Sequence, residues 1–244
     1  MKLELYQLTS AGDREINQDY MAHIIKDDYA LFVVADGLGG HHAGEKASRF
    51  FCQGLISQAE VYSKRMADEP AETFSEWLTA AVKEMKRLFQ DDISADAAYT
   101  TCAILFIDKR RVLTAHCGDS RIYRMNSQQV LWRTCDHSVP QELFNEGWIT
   151  EQEIAQHPAQ NQLTRSLNVL KEHRAEINLY PAIKKGETFI ICSDGFWAYV
   201  KQHELLQLAQ LTSTKVELAK LARLAVFRAN GKSDNITVQS VRCL

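Results

Sequence analysis

The sequence has no apolar stretch near the ~18–20 residues that a bilayer-spanning helix requires. Its first residues, MKLELYQLTSAGDREINQD, contain no apolar core of the signal-peptide kind. Neither a membrane partner nor export is expected, and the expected location is cytoplasmic. Excess charge is missing as well. The 28 Lys and Arg against 31 Asp and Glu leave a formal net charge of -3, with no basic footprint for nucleic acid or anionic lipid. There are only four prolines, and there is no low-complexity tract, charge block or internal repeat, so no linker between separate domains is expected. The six cysteines, at 52, 102, 117, 135, 192 and 243, form no CxxC and have no metal-type spacing. Most lie in apolar strand-like runs, where a buried free thiol in a reducing compartment is the ordinary reading.

The chain itself, at 244 residues and 45% hydrophobic, is long enough for one sizeable core. A single domain over 1–244 is expected. Strand-like runs occupy 2–8, 19–25, 29–35, 98–107, 110–117, 120–125, 128–133, 174–180, 187–193 and 235–242. The stretch YTTCAILFIDKRRVLTAHCGDSRIYRMNSQQVLWR reads as successive antiparallel hairpins. Helical stripes run through 42–62, 72–92 and 214–229, with Phe74, Leu78, Ala81, Val82, Met85, Leu88 and Phe89 on one face of the second. They predict helices packed outside antiparallel sheets. The acidic, turn-rich segment 137–160 reads as a surface insertion with one or two short helices.

Acids recur at strand ends. LFVVADGLGG ends an apolar run on Asp36, and TFIICSDG ends another on Asp194. Asp119 follows VLTAHCG, Asp234 and Asn235 precede ITVQSV, and Asp19 opens DYMAHI. A single Asp-Gly is a turn signal; five such acids are harder to explain as turns. If the strand ends converge, the carboxylates repel one another strongly unless cations intervene. An all-oxygen donor set favours Mg²⁺ or Mn²⁺ over zinc.

In order along the chain stand Arg14 with NQD (17–19), ADGLGG (35–40), TT (100–101), GDSR (118–121), TCDHS (134–138), NQLTRSLN (161–168), CSDG (192–195) and SDNIT (233–237). This set resembles the metal-dependent Ser/Thr protein phosphatases of the 2C type, in particular their short bacterial members. The resemblance implies an α+β, four-layer α-β-β-α sandwich: two antiparallel sheets flanked by helix pairs, with 137–160 as a mobile flap beside the cleft.

By motif match, Asp36 bridges two metals, the Gly37 carbonyl holds the first, Asp194 and Asp234 hold the second, and Asp19 helps through water. Asp119 with Asp194 matches a third, weaker site. Asn235 orients its neighbouring ligand, and Arg14 grips the substrate phosphate with its fork. The family's two cations, about 3.5–4 Å apart, lower the pKa of a water that attacks phosphorus in line. No cysteine is needed as a nucleophile.

The implied partners are a phosphorylated protein and a bacterial Ser/Thr kinase whose work is reversed, with a monomer as the default. Three departures stand out. Leu38 occupies the place of a histidine proposed elsewhere as general acid, Gln18 replaces an acid, and Ala198 replaces a further acid of the third site. His41 and His42 read as helix entry or phosphate contact, His116 as structural, and the Asp136–His137 pair as shaping a loop. Two other readings compete: a pseudophosphatase that binds a phosphoprotein without turnover, and a phosphodiesterase acting on small molecules. The three metal acids Asp36, Asp194 and Asp234 speak against the first, and the lack of His-rich metal motifs against the second.

Overall fold

The computed structural model describes residues 2–39, 43–90 and 92–244. Gly40, His41 and His42, to which the sequence assigns a glycine-loop and helix-entry role, lie outside the described residues. The chain runs through β1 (Leu3–Ser10), β2 (Asp19–Ile25), β3 (Tyr29–Leu38), α1 (Ala43–Ser57), α2 (Ala59–Arg65) and α3 (Pro70–Phe89). There follow β4 (Tyr99–Thr100), β5 (Cys102–Asp108), β6 (Arg111–Cys117), β7 (Arg121–Met125), β8 (Val130–Arg133), α4 (Val139–Asn145) and α5 (Glu151–Ile154). The last third holds β9 (Leu167–Asn168), β10 (Glu176–Pro181), β11 (Thr188–Cys192), α6 (Asp194–Trp197), α7 (Gln202–Leu205), α8 (Lys215–Ala229) and β12 (Ile236–Cys243).

Every strand pair is antiparallel. One sheet has the order β1-β12-β11-β7-β8; the other runs β10-β6-β5-β3 and continues through β4 and β9, with β2 also on β3. The apolar runs are continuous because each central strand is covered on both faces. Along β3, Leu31, Val33 and Ala35 pack into a core beneath α1 and α3. Their neighbours Ala30, Phe32 and Val34 point the other way, into the layer between the sheets. β5 divides likewise, with Ile104 and Phe106 outward and Ala103, Leu105 and Ile107 inward. β11 sends Phe189 and Ile191 to the shared layer and Ile190 and Cys192 toward α8. Period-2 side-chain alternation thus builds three hydrophobic layers inside four structural ones. The expected α-β-β-α sandwich is the fold observed.

Two expected elements are broken. The run 98–107 divides at Thr101, whose N–H leaves the ladder to donate to the Asp36 carbonyl at 2.8 Å. The helix 42–62 divides at Gln58, whose carbonyl accepts from both Val61 and Tyr62 N–H. Four of the cysteines (52, 102, 117 and 192) are buried and all six are free thiols. Among the described residues no helix is long and apolar enough to cross a membrane.

Candidate active site

The acids meet where strand ends gather at one edge of the sandwich. Asp19 opens β2 and lies directly opposite Asp36 in the antiparallel register with β3. Asp119 sits in the turn between β6 and β7, Asp194 starts α6 just past β11, and Asp234 lies just before β12. Asp19, Asp119 and Asp194 are 6%, 5% and 8% exposed. That is unusual for carboxylates, which are seldom buried unless paired.

The backbone around Asp36 is built by the TT motif. Asp36 N–H donates to Thr101 Oγ1 at 2.9 Å, and Thr100 Oγ1 donates to the Asp36 carbonyl at 3.0 Å. Thr101 Oγ1 also pairs with Ser120 Oγ at 2.7 Å, tying Asp36 to the GDSR turn. Gly37 is required by proximity: a Cβ there would stand 2.0 Å from the Gly44 carbonyl oxygen at the start of α1. The glycine therefore admits close backbone packing. Gly37 N–H donates to the Gln18 carbonyl at 3.1 Å, and Ser48 Oγ donates to the same oxygen at 2.6 Å.

Ser193, immediately before Asp194, donates to Asp19 Oδ2 at 2.6 Å and accepts from Thr237 N–H at 3.0 Å. Asp194 Oδ2 accepts from Gln160 Nε2 at 3.0 Å. The remaining oxygens, Asp19 Oδ1 and Asp194 Oδ1, are buried with no hydrogen-bond partner. Burial, moderated by Ser193 and aggravated by Asp194, pushes the Asp19 carboxyl up to about 7. Burial and Asp234 push Asp194 up to about 6. Asp36 is raised well above the usual carboxylate range by burial and by Asp19, Asp194, Asp119 and Asp234 together, and Asp119 by burial, Asp194 and Asp136.

Arg14 forks onto Asp234, with Nε 3.1 Å from Oδ1 and an Nη 2.9 Å from Oδ2. Its side chain is 57% exposed. The side chain of Asn235, expected to orient a neighbouring ligand, reaches the 11–18 loop. Its Oδ1 accepts from Gln18 N–H at 2.8 Å, and its Nδ2 donates to the Ala11 and Ile16 carbonyls at 3.0 and 2.9 Å. Only its backbone N–H meets Asp234 Oδ1, at 2.8 Å. Asn235 therefore staples the loop that carries Arg14 to Asp19.

Behind Asp119, Trp197 Nε1 donates to the Asp119 carbonyl at 2.9 Å, and its ring lies 3.3 Å from the Arg121 guanidinium. Arg121 forks onto buried Asp136 at 2.7 and 2.6 Å. His137 Nδ1 accepts from Gly118 N–H at 3.2 Å. The Asp136–His137 pair thus shapes the turn that presents Asp119, as its place in the sequence suggests. Ala198 adds no acid and packs against the core under α8.

The acids fit divalent cations. Two buried carboxylate oxygens lack partners, burial and then mutual repulsion raise several of the pKa values, and the donors are all oxygen. Among the described residues no three of these carboxylates converge all round within 4.8 Å. The compact cluster that does meet that limit, His116, His137 and Glu176, suits a metal less well. The two imidazole rings are stacked 8° from parallel with centroids 4.6 Å apart. Metal–nitrogen bonds lie in the ring plane, and near-parallel stacked planes do not meet at one ion.

The sequence singled out all the acids and Arg14. It missed Gln160 and Ser193, which touch those acids, and the hydroxyl cradle made by Thr100 and Thr101. Ser193 sits inside CSDG and the threonines inside TT, so the motifs marked the places without disclosing the contacts.

The sequence pattern of the family Protein phosphatase 2C matches residues 10–225. Serine/threonine phosphatase stp of Listeria welshimeri is 30% identical over 220 residues, covering 87% of this chain and 84% of that protein. Protein phosphatase PhpP of Streptococcus pneumoniae is 29% identical, covering 98% of this chain and 97% of its own. The crystal structure of the serine/threonine phosphatase Stp1 from Staphylococcus aureus matches with a TM-score of 0.82 at 27% identity, over 100% of this chain and 96% of that one.

Proposed function

We infer, for a chain that belongs to the protein phosphatase 2C family, that the clustered aspartates are the cation ligands of its phosphatase reaction. The protein is a metal-dependent protein serine/threonine phosphatase, its substrates are phosphoproteins and its cofactor is Mn²⁺ or Mg²⁺. In our reading residues 1–244 form one catalytic domain, with 137–160 as its flap. Asp36, Asp194 and Asp234, with the Gly37 carbonyl and Asp19, hold two ions, and Asp119 with Asp194 offers a place for a third. The observation that carries this reading is the pair of buried, unpartnered oxygens on Asp19 and Asp194, set among carboxylates that repel one another.

When bound, the cations supply Lewis acidity that activates water and offsets phosphoryl charge. The chain's own residues do the rest. Ser193 fixes the rotamer of Asp19 by donating to one oxygen and leaving the other free. Thr100 and Thr101 hold the Asp36 backbone so that its carboxylate faces Asp19 and Asp194. Arg14 brings a guanidinium to the cleft with Nε and one Nη engaged by Asp234, which leaves its other Nη edge to meet a phosphate oxygen. It is oriented by Asp234 and by the loop that Asn235 staples. With Leu38 after Gly37, that position gives the leaving alkoxide no proton.

The same reading makes the kinase that phosphorylates those proteins the enzyme's functional opponent, with the phosphatase acting as a cytoplasmic monomer in signalling. The test is hydrolysis of a phosphothreonine peptide in EDTA, then Mg²⁺, then Mn²⁺, with Asp194→Ala alongside. Turnover that needs metal and vanishes in the variant supports the assignment. Peptide binding without turnover under either metal overturns it in favour of a pseudophosphatase.

A further inference from the structure

We propose that Gln160 is a positioning residue that ties the flap to Asp194 and so sets how tightly the cleft holds its divalent cation. The proposal rests on the reading of Asp194 as a ligand. Gln160 lies on the returning arm of the flap, between α5 and β9. Its Nε2 donates to Asp194 Oδ2 at 3.0 Å, while Asp194 Oδ1 is buried and unpartnered. The amide therefore occupies one carboxylate oxygen and turns the other inward. An amide suits this task because it donates without bringing a positive charge that would compete with the ion. Partners of this kind, one step behind the ligands, commonly change metal affinity by about 10–100-fold when removed.

The arm that carries Gln160 is itself fixed. Gln160 N–H donates to the His157 carbonyl at 2.9 Å, and Ala159 N–H donates to His157 Nδ1 at 3.1 Å. Val139 N–H donates to the Gln162 carbonyl at 3.0 Å, and Thr164 N–H to the His137 carbonyl at 2.9 Å. Ser138 and Leu163 form an antiparallel bridge between the two arms. Both arms are thus clamped at the flap's base, and one side chain runs from that clamp to a cleft carboxylate. Because coupling is reciprocal, an ion that draws Asp194 into place also steadies the flap through the same contact.

The experiment uses the full metal-free chain without substrate. Mn²⁺ affinity is read by calorimetric titration, and exchange of the 139–162 amides by mass spectrometry with and without Mn²⁺. Gln160→Met keeps the length of the side chain and removes the donor. The expected result is Mn²⁺ binding weakened about tenfold, an unchanged melting temperature in EDTA, and loss of the Mn²⁺-dependent protection seen in the wild type. Affinity within about twofold of wild type, with the protection intact, overturns the proposal. Asp194→Ala separates the two levels. If it loses Mn²⁺ affinity while Gln160→Met does not, only the coupling falls; if it binds Mn²⁺ as the wild type does, the ligand assignment falls with it.

Discussion

Asp19 and Asp36 face one another across β2 and β3 as directly paired residues, an arrangement that sets two carboxylates side by side on a buried ladder. Like charges directly opposite destabilise a sheet, and both groups are shifted toward their neutral forms. If the pair holds cations, as we propose, it trades local stability for function, and the trade can be measured. Asp36→Asn removes the ionisable group without changing shape. It should lower phosphothreonine hydrolysis by at least about a thousandfold, while raising the melting temperature in EDTA by about 2–4 °C for each kcal/mol of repulsion relieved. A variant that loses activity and also melts earlier in EDTA would contradict this account.

Ser193 joins three elements through one hydroxyl. Ser193→Ala leaves the Thr237 N–H without its acceptor and Asp19 Oδ2 without its donor. Stability in EDTA should fall by about 1–3 kcal/mol, the usual penalty for orphaned buried groups. Chemical denaturation of the metal-free protein measures it.

Gly37 and Gly186 offer a matched pair. An alanine Cβ at 37 would stand 2.0 Å from the Gly44 carbonyl oxygen, whereas one at 186 meets nothing within 4 Å and suffers only from a φ of +83°. Gly186→Ala should cost about 1–2 kcal/mol and leave turnover unchanged. Gly37→Ala should displace α1 from β3 and abolish turnover. Circular dichroism and peptide hydrolysis on both variants decide the matter.

His137 gives stability a pH dependence. Burial, with help from His116 and Arg165, pushes its pKa down from 6.5 to about 4. Between those values the unfolded chain holds more protons than the folded one, so stability contributed by the neutral ring is present above about 6.5 and drains as pH falls toward about 4. Protonation also turns Nδ1 into a donor facing the Gly118 N–H. The difference in unfolding midpoint between about pH 7 and about pH 5 should shrink in His137→Asn. An equal difference in both proteins would count against the assignment.

Arg14 should be judged by Arg14→Lys. A lysine keeps the charge and loses the fork, so KM for phosphopeptide should rise by about tenfold or more, with the larger change in kcat/KM. A variant indistinguishable from wild type would remove Arg14 from the substrate site.

Much of this was legible from residue types alone. The runs 29–35 and 187–193 announced strands buried on both faces, and the acids ending such runs marked where the carboxylates gather. The break at Thr101 was not legible, because the partner that pulls its N–H from the ladder, Asp36, lies far away in the chain. α6 and α7 span four residues each, too few for a helical period to register. Gln160 escaped notice because an amide in a turn-rich segment has no signature until folding brings it to Asp194. Asn235 was placed beside Asp234, which its backbone N–H does meet, but the reach of its side chain back to the 11–18 loop was not legible.

The chain's two ends lie together. β1 pairs with β12 along its full length, and the Arg14–Asp234 fork joins residues 220 positions apart. The corner where Arg14 meets Asp234 therefore forms only when β12 docks on β1. The corner is a long-range product of folding, assembled by the pairing of the first strand with the last rather than by any local segment.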